Sequence, residues 1–256
     1  MAAPHPSETG AADQLLASGD VDVRPRTEHH HRDIQGGTAR AAVFGISDGL
    51  VSNTLLIVGI AGADPSASVV RLGGLIALLS GAVSMAAGEY VSMQAQRELF
   101  ERELELERRE LRRRPHVEQV ELTQIYMSRG VPPDSARELA EHMMRDPEIA
   151  LETHAREELG IDPNALGSPP AAAVSSFFAF CVGAVLPLIP WFAGSGHGAT
   201  VASVLIAAVA ALVVGYVLAR FTGRSRTYTA IRQLLFATVP AGGTFLLGRL
   251  VGITTS

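Results

Sequence analysis

Cysteine and lysine are nearly absent from this sequence, which has one cysteine, Cys181, and no lysine among its 21 basic residues. A single cysteine excludes a disulfide framework and any metal site built from paired thiolates. Aromatic residues make up only 5% of the chain. The formal net charge of −5 argues against nucleic acid as a partner, because proteins that bind nucleic acid carry basic surfaces.

What the sequence does have is a set of apolar runs long enough to cross a bilayer. A hydrocarbon core of about 30 Å requires roughly 20 residues of helix. Five runs meet this requirement, and together they predict an all-α membrane protein with five transmembrane helices. The predicted spans are Ala41–Ala63, Leu72–Met93, Ala171–Ala193, Val201–Phe221 and Ile231–Val251.

The segments between and before these runs divide the chain into four parts. Residues 1–39 lack apolar periodicity and are rich in Pro, Gly, Ser, Asp and His, so we expect a disordered tail. Its run His29–His31 is a weak candidate for a metal contact. Residues 40–96 hold spans one and two, and residues 171–256 hold spans three to five. Residues 97–170 form a long, highly charged insert.

The placement of arginine predicts the orientation in the membrane. Two segments that flank the predicted spans are rich in arginine, the tail and the loop between spans four and five. They contain Arg24, Arg26, Arg32, Arg40, Arg220, Arg224, Arg226 and Arg232. The two other short loops contain one arginine between them. Because cytoplasmic loops carry the excess of basic residues, we expect the tail and the insert in the cytoplasm and the C-terminus outside. The arginine-rich composition and the tail favour a bacterial plasma membrane.

Proline and glycine divide the insert into short helices. A charged helix continues span two and is expected to end before Pro115, since proline removes a backbone donor and clashes with the preceding turn. Turn and start signals predict three further helices, over His116–Ser128, Pro132–Asp146 and Glu148–Leu159. We therefore expect a small helical cytoplasmic domain that stands on the extension of span two.

Two carboxylates and a thioether lie inside the first two predicted spans. Met85 and Glu89 are four residues apart and share a helix face, and Asp48 lies about a third of the way into span one. An ionisable group inside a membrane usually faces a bundle interior, where it serves an ion or proton path. The alternative for Asp48 is an interfacial carboxylate that reaches water by itself. A thioether beside carboxylates favours a transition metal over Mg²⁺ or Ca²⁺.

Four glutamates of the insert form two pairs with helical spacing, Glu107 with Glu110 and Glu118 with Glu121. The members of each pair share a helix face, and the pairs lie on adjacent helices where they can converge on a divalent cation. Runs of Glu and Arg are also typical of solvated helix faces that are held by ion pairs one turn apart. Composition alone leaves both interpretations open.

Five strings of this sequence resemble the vacuolar iron transporter family. They are DGLVSN (Asp48–Asn53), SMAAGEYVSMQAQRE (Ser84–Glu98), IYMSRGVPPDSARELAEHMM (Ile125–Met144), LGIDP (Leu159–Pro163) and VGAVLPLIP (Val182–Pro190). The similarity extends from about Gly36 to the C-terminus. It implies a five-span homodimer that moves cytosolic Fe²⁺, and often Mn²⁺, out of the cytosol in exchange for protons, with the insert collecting the metal.

The resemblance also implies which residues bind the metal. Asp48 and Met85 match the intramembrane ligands of the family, with Glu89 in the same pore region. The matching metal-binding glutamates of the insert are Glu107, Glu110, Glu118, Glu121 and Glu158. Plant-like members have a methionine pair shortly before the last of these glutamates, where this chain has His154 and Ala155. His154 can replace a thioether as a ligand, whereas Ala155 cannot.

We therefore expect a divalent-metal transporter in the lipid bilayer, and not an enzyme, with no permanently bound cofactor. The expected cargo is Fe²⁺, and the sequence does not rank it against Mn²⁺, Co²⁺ or Zn²⁺. The alternative is a non-transporting membrane scaffold or metal sensor whose insert binds a protein. An iron-oxidising ferritin-like module is disfavoured, because such sites need Glu-x-x-His pairs on long facing helices and the insert has neither.

Overall fold

A computed structural model describes residues 37–255 of the chain, and every regular element in that range is helical. The prediction of an all-α chain is confirmed for this range. The expected disordered tail up to residue 36 and the run His29–His31 lie outside the described residues. The helices are α1 (Thr38–Gly62), α2 (Ala67–Arg113), α3 (Pro115–Ser128), α4 (Pro133–Met143), α5 (Pro147–Glu157), α6 (Pro169–Val185), α7 (Pro190–Ala193), α8 (Gly196–Thr222) and α9 (Arg226–Thr255).

Five helices in the described range are long and apolar enough to span a membrane, as predicted. They are α1, α2, α6 with the turn that follows it, α8 and α9. Each begins a few residues before its predicted start, because the helix continues into polar residues at its end. Thus α1 begins at Thr38 and not at Ala41, and α9 begins at Arg226 and not at Ile231.

The second helix, α2, is continuous over 47 residues and is about 70 Å long at 1.5 Å per residue. Its first part, up to about Met93, is the apolar span. Its remainder is highly charged, with ion pairs one turn apart at Arg97–Glu101 (2.7 Å) and Arg109–Glu105 (3.0 Å). The helix ends before Pro115, as predicted. One rigid element therefore runs from the membrane segment into the insert.

Helix α1 is held firmly because it packs against α2, α6, α8 and α9. Its closest contact is with α6 and depends on glycine. A Cβ atom at Gly49 would collide with the carbonyl of Phe180, and one at Gly183 would collide with the carbonyl of Ile46. Leu50 is fully buried in a cluster with alanines of α8 and α9. The position of Asp48, which neighbours these contacts, is fixed by this packing.

The third span is broken, whereas the sequence predicted a single uninterrupted helix. A 3₁₀ turn, Leu186–Leu188, separates α6 from the short α7. Pro187 and Pro190 cause the break, since each lacks the N–H group that a continuing helix would use. Asn53 of α1 donates from Nδ2 to the Ala184 carbonyl at 2.6 Å. This bond gives a hydrogen-bond donor to a carbonyl next to the break.

Helices α3, α4 and α5 form the insert at the charged end of α2. A small core of Leu122, Tyr126, Ala136 and Ala140 joins α3 to α4. Helix α5 is capped by Asp146, whose side chain accepts from two backbone N–H groups of the first turn. It packs against α2. The three helices begin and end within a few residues of their predicted bounds, and they bring α5 against the charged half of α2.

Candidate metal sites

Three of the predicted metal-binding residues, Met85, Glu89 and Glu107, lie along one face of α2. Glu89 and Glu107 are 18 residues apart in the sequence, which is five helical turns and about 27 Å. Both are buried, although one lies in the membrane segment and the other in the insert. The same face of α2 therefore presents acidic groups to two separate places in the protein.

The insert site brings Glu107 of α2 together with His154 and Glu158 at the end of α5. One ligand atom from each residue lies within 4.8 Å of the other two. His154 Nδ1 is 3.2 Å from Glu107 Oε1 and 3.6 Å from Glu158 Oε2. Glu107 and His154 are buried, and Glu158 lies at the exposed edge. Two carboxylates and an imidazole form a ligand set that suits a divalent transition metal.

The central polar atoms of this cluster lack hydrogen-bond partners among the described residues. Both ring nitrogens of His154 and Oε1 of Glu107 are buried and unpaired. Nδ1 and Oε1 are close to each other, but their contact does not have hydrogen-bond geometry. A buried polar group without a partner costs about 1–3 kcal/mol. A bound cation would satisfy both atoms, because imidazole nitrogen and carboxylate oxygen are both metal ligands.

The other predicted glutamates of the insert surround this cluster and do not enter it. The pKa of Glu107 is raised to about 7, first by burial and then by the charges of Glu158, Glu118, Glu110 and Glu121. The pKa of Glu118 is also raised, mainly by burial and then by the neighbouring glutamates. The predicted carboxylates of the insert are therefore near enough to Glu107 for their charges to act on it. Such a concentration of negative charge attracts a cation.

The membrane site is a groove between α1 and α2. Its cavity of about 340 Å³ is lined by Asp48 and Met85 together with the hydroxyl-bearing residues Ser52, Ser80 and Ser84. Asp48 is exposed in the single chain and Met85 is half-buried. The two residues that the sequence singled out on different helices therefore share one cavity. A carboxylate, a thioether and nearby hydroxyls can replace part of the hydration shell of a metal ion.

Glu89 is paired with Arg40, a residue that sequence reasoning did not assign to a site. Arg40 Nη2 of α1 donates to Glu89 Oε2 of α2 at 3.1 Å. The Glu89 side chain is 9% exposed and the Arg40 side chain is 61% exposed. Neither residue lines the cavity that holds Asp48 and Met85. In the sequence, Arg40 was only a signal of orientation, because a partner 49 residues away cannot be identified from spacing.

Comparison with known proteins gives one family and several close relatives. A model described as the VIT family matches residues 39–249. Vacuolar iron transporter 1 of Eucalyptus grandis is 29% identical over 247 residues, which are 94% of this chain and 98% of that protein. Vacuolar iron transporter 1 of Arabidopsis thaliana is 28% identical over 241 residues, 90% of this chain and 95% of that protein. The vacuolar iron transporter of Acanthamoeba castellanii is 40% identical over 153 residues, 60% of this chain and 55% of that protein.

Proposed function

The chain belongs to the VIT family, and from this premise we propose that it moves Fe²⁺ out of the cytosol in exchange for protons. It is an integral membrane protein of a transporter family. The names of its relatives support iron as the cargo. The observation that carries the proposal is the buried His154, without a hydrogen-bond partner, beside Glu107 of α2, the helix that also lines the Asp48 groove.

In the proposed cycle Fe²⁺ first binds in the insert. Glu107, His154 and Glu158 supply the ligand atoms, and the three neighbouring glutamates supply a negative field. Burial first, and then like-charge repulsion, raises the pKa of Glu107, and a divalent cation would offset the repulsion. Because the carboxylates must be deprotonated to bind a metal, loading the site releases protons.

The cation then passes along the buried face of α2 to Asp48 and Met85, with Glu89 between the two sites. The thioether of Met85 favours Fe²⁺ and softer ions, whereas carboxylates also accept Mn²⁺. We propose Fe²⁺ as the main cargo and Mn²⁺ as a second one. Protons that arrive from the outer side compete with the metal for the same carboxylates, and this competition couples the two fluxes.

A second copy of the chain would complete the membrane site. Helix α2, which lines the groove, carries four apolar side chains that are each more than half exposed, and they are Leu72, Ile76, Leu79 and Val83. Asp48 is exposed as well, so in a lone copy a carboxylate would meet lipid. Ionisable groups inside membranes almost always face protein or water. We therefore propose a homodimer in which two grooves face each other.

The orientation we propose follows the arginine distribution, with the tail and insert in the cytoplasm and the C-terminus outside. This arrangement places the insert where cytosolic metal is available. The composition leads us to propose the bacterial plasma membrane as the location. The relatives described above are eukaryotic proteins named for the vacuole.

A membrane scaffold or metal sensor without transport is not favoured. A scaffold has no need for a carboxylate and a thioether in a cavity within its membrane segment. Family membership also supports transport. Expression in iron-stressed cells separates the alternatives, because a transporter changes the tolerated iron level and a scaffold does not.

Fe²⁺ uptake by proteoliposomes that contain the full chain tests the proposal. Asp48→Asn keeps the shape of the groove ligand but removes its charge, and we expect uptake to fall to the level of empty liposomes. Asp64→Asn is the matched control, since Asp64 is exposed in the loop after α1 and its positive φ of 50° suits asparagine. Undiminished uptake by Asp48→Asn would remove Asp48 from the path. Absence of uptake by the wild-type chain would overturn the proposed function.

A further inference from the structure

We propose that Arg40 is a positioning residue that gates access to the membrane groove, an inference that rests on the proposed transport function. Its guanidinium donates to Glu89 Oε2 at 3.1 Å and joins α1 to α2. In this pair the guanidinium occupies the place where a divalent cation would meet the Glu89 carboxylate. A metal ion can bind Glu89 only after Arg40 has moved away.

The ion pair lies between the two candidate metal sites. Along α2, Glu89 is one turn from Met85 on the side of the insert, and it is five turns from Glu107. Along α1, Arg40 precedes Asp48 by eight residues, which is about two turns and 12 Å. Arg40 thus lies toward the insert-facing end of α1, as Glu89 does on α2. The pair therefore bridges α1 and α2 at the insert-facing end of the space between them. The cavity lined by Asp48 and Met85 lies deeper in that space.

The two partners differ in burial in the way that a gate requires. The Glu89 side chain is almost entirely enclosed, at 9% exposure, whereas the Arg40 side chain is 61% exposed. A buried carboxylate is disfavoured without a counter-charge, so Glu89 favours a cation beside it. The long side chain of Arg40 can swing into water while its charge stays solvated. The site thus combines a fixed anion with a removable monovalent cation, which a divalent ion can replace.

A pair that only held α1 against α2 would have little consequence for transport. Apolar packing already joins these helices near their other ends, where Ile57 of α1 and Val70 of α2 are both fully buried in one cluster. The Arg40 side chain is 61% exposed, and an ion pair with an exposed partner contributes less to stability than a fully buried one. The charge of Arg40 should therefore affect the concentration of metal needed for transport more than it affects folding.

The test is the dependence of the initial Fe²⁺ uptake rate on Fe²⁺ concentration, measured for the full chain in proteoliposomes. Arg40→Gln removes the competing cation, and we expect KM to fall roughly fivefold while the saturated rate changes little. Arg40→Lys keeps a cation at this position and should retain a KM near that of the wild type. Arg97→Gln is the matched control, because it removes a guanidinium from the exposed Arg97–Glu101 pair of α2, the helix that carries Glu89.

If the KM of Arg40→Gln equals that of the wild type, the gate is refuted and the ion pair has only a structural role. A lowered KM in Arg40→Lys would overturn it as well, since the retained cation would then have no effect. If Arg40→Gln does not yield a folded protein by size-exclusion chromatography, Arg40→Met, which keeps the aliphatic stem, is measured under the same expectation. If the wild-type chain takes up no Fe²⁺, transport and the gate are both refuted. If the wild-type chain takes up Fe²⁺ and Arg40→Gln has the same KM, only the gate is refuted.

Discussion

His154 distinguishes the insert site from an ordinary acidic helix surface. Its ring is completely buried, and neither nitrogen has a hydrogen-bond partner among the described residues. Imidazole suits Fe²⁺, Co²⁺ and Zn²⁺, whereas oxygen ligands alone suit Mn²⁺, Mg²⁺ and Ca²⁺. A histidine where plant-like members of the family carry thioethers therefore favours borderline metals at this site.

Removal of this imidazole is expected to weaken metal binding in the insert. We expect His154→Ala to raise the Kd of the full chain for Fe²⁺ by about tenfold or more, because a ligand is lost. Isothermal titration of the purified protein measures this change. The matched control is His142→Ala, since His142 is exposed on α4, and it should bind normally. Equal affinities in the two variants would exclude His154 as a ligand.

The affinity of the insert for metal is expected to depend on pH near neutrality. The pKa of Glu107 is raised to about 7, first by burial and then by neighbouring carboxylates. The group is mostly protonated about one unit below that pKa and mostly ionised one unit above it. Because the metal binds the ionised form, lowering the pH from about 8 to about 6 should weaken binding roughly tenfold.

The variant Glu107→Gln checks the origin of this pH dependence. It should bind metal more weakly at every pH but lose most of the change between about pH 6 and 8. Titrations of the wild type and the variant at the two values give the comparison. A pH dependence that is as steep in Glu107→Gln as in the wild type would assign it to another group.

At the scale of elements, α2 and the broken third span determine where the sites lie. The continuous α2 carries both Glu89 and Glu107 on one buried face. Asn53 fixes α1 against α6 by donating to the Ala184 carbonyl next to the break. This bond supports the packing that holds Asp48 in the groove.

Loss of the Asn53 side chain is expected to destabilise the bundle. In Asn53→Ala the Ala184 carbonyl is left without that donor in an apolar surrounding, which costs about 1–3 kcal/mol. Thermal unfolding of the purified protein should show a lower Tm. Thr222→Ala is the control, since its hydroxyl is exposed at the end of α8 and bonds only within its own helix. A Tm unchanged in Asn53→Ala would show that this bond does not contribute.

The features that sequence reasoning predicted are those that depend on local chemistry. The ends of α2 and α3 follow from Pro115 and Gly130, because proline and glycine act on their own turn. Asp48, Met85 and Glu89 could be singled out because acidic and sulphur-bearing groups are unusual in apolar spans. In each of these cases the signal lies within a few residues of the feature.

The features that sequence reasoning missed depend on contacts between distant segments. The Arg40–Glu89 pair joins residues 49 positions apart, and its formation depends on how α1 and α2 cross. The choice of Glu107 among the glutamates also depends on packing, because the placement of α5 decides which carboxylate meets His154. The break at Pro187 was visible as proline, but apolar length alone favoured an uninterrupted span.

At the scale of the whole molecule, the two candidate metal sites lie along α2 with the Arg40–Glu89 pair between them. The candidate site of the insert is formed by helices of the same chain, with Glu158 at its exposed edge. The groove with Asp48 is open on one side in a single copy. The proposed path is therefore complete only when a second copy covers the exposed apolar side chains of α2.

A cysteine placed on that surface is expected to form a crosslink between subunits. In a chain carrying Cys181→Ser, we expect Leu79→Cys to yield a disulfide-linked dimer in oxidised membranes, because Leu79 is 58% exposed on α2, the helix of the proposed contact. Val209→Cys is the control, since Val209 is 62% exposed on α8, which packs against α1 and α9. Gel electrophoresis without reductant measures the product. Equal crosslinking of the two variants would contradict this dimer.

The coupled movement of iron and protons tests the central claim most directly. Proteoliposomes with an acidic lumen, a pH-sensitive dye inside and Fe²⁺ outside report both fluxes in one preparation. We expect Fe²⁺ to enter as the lumen becomes more alkaline, and we expect both signals to vanish in Asp48→Asn but not in Asp64→Asn. Iron entry without a change of lumenal pH, or equal signals in the two variants, would contradict the exchange of Fe²⁺ for protons through this groove.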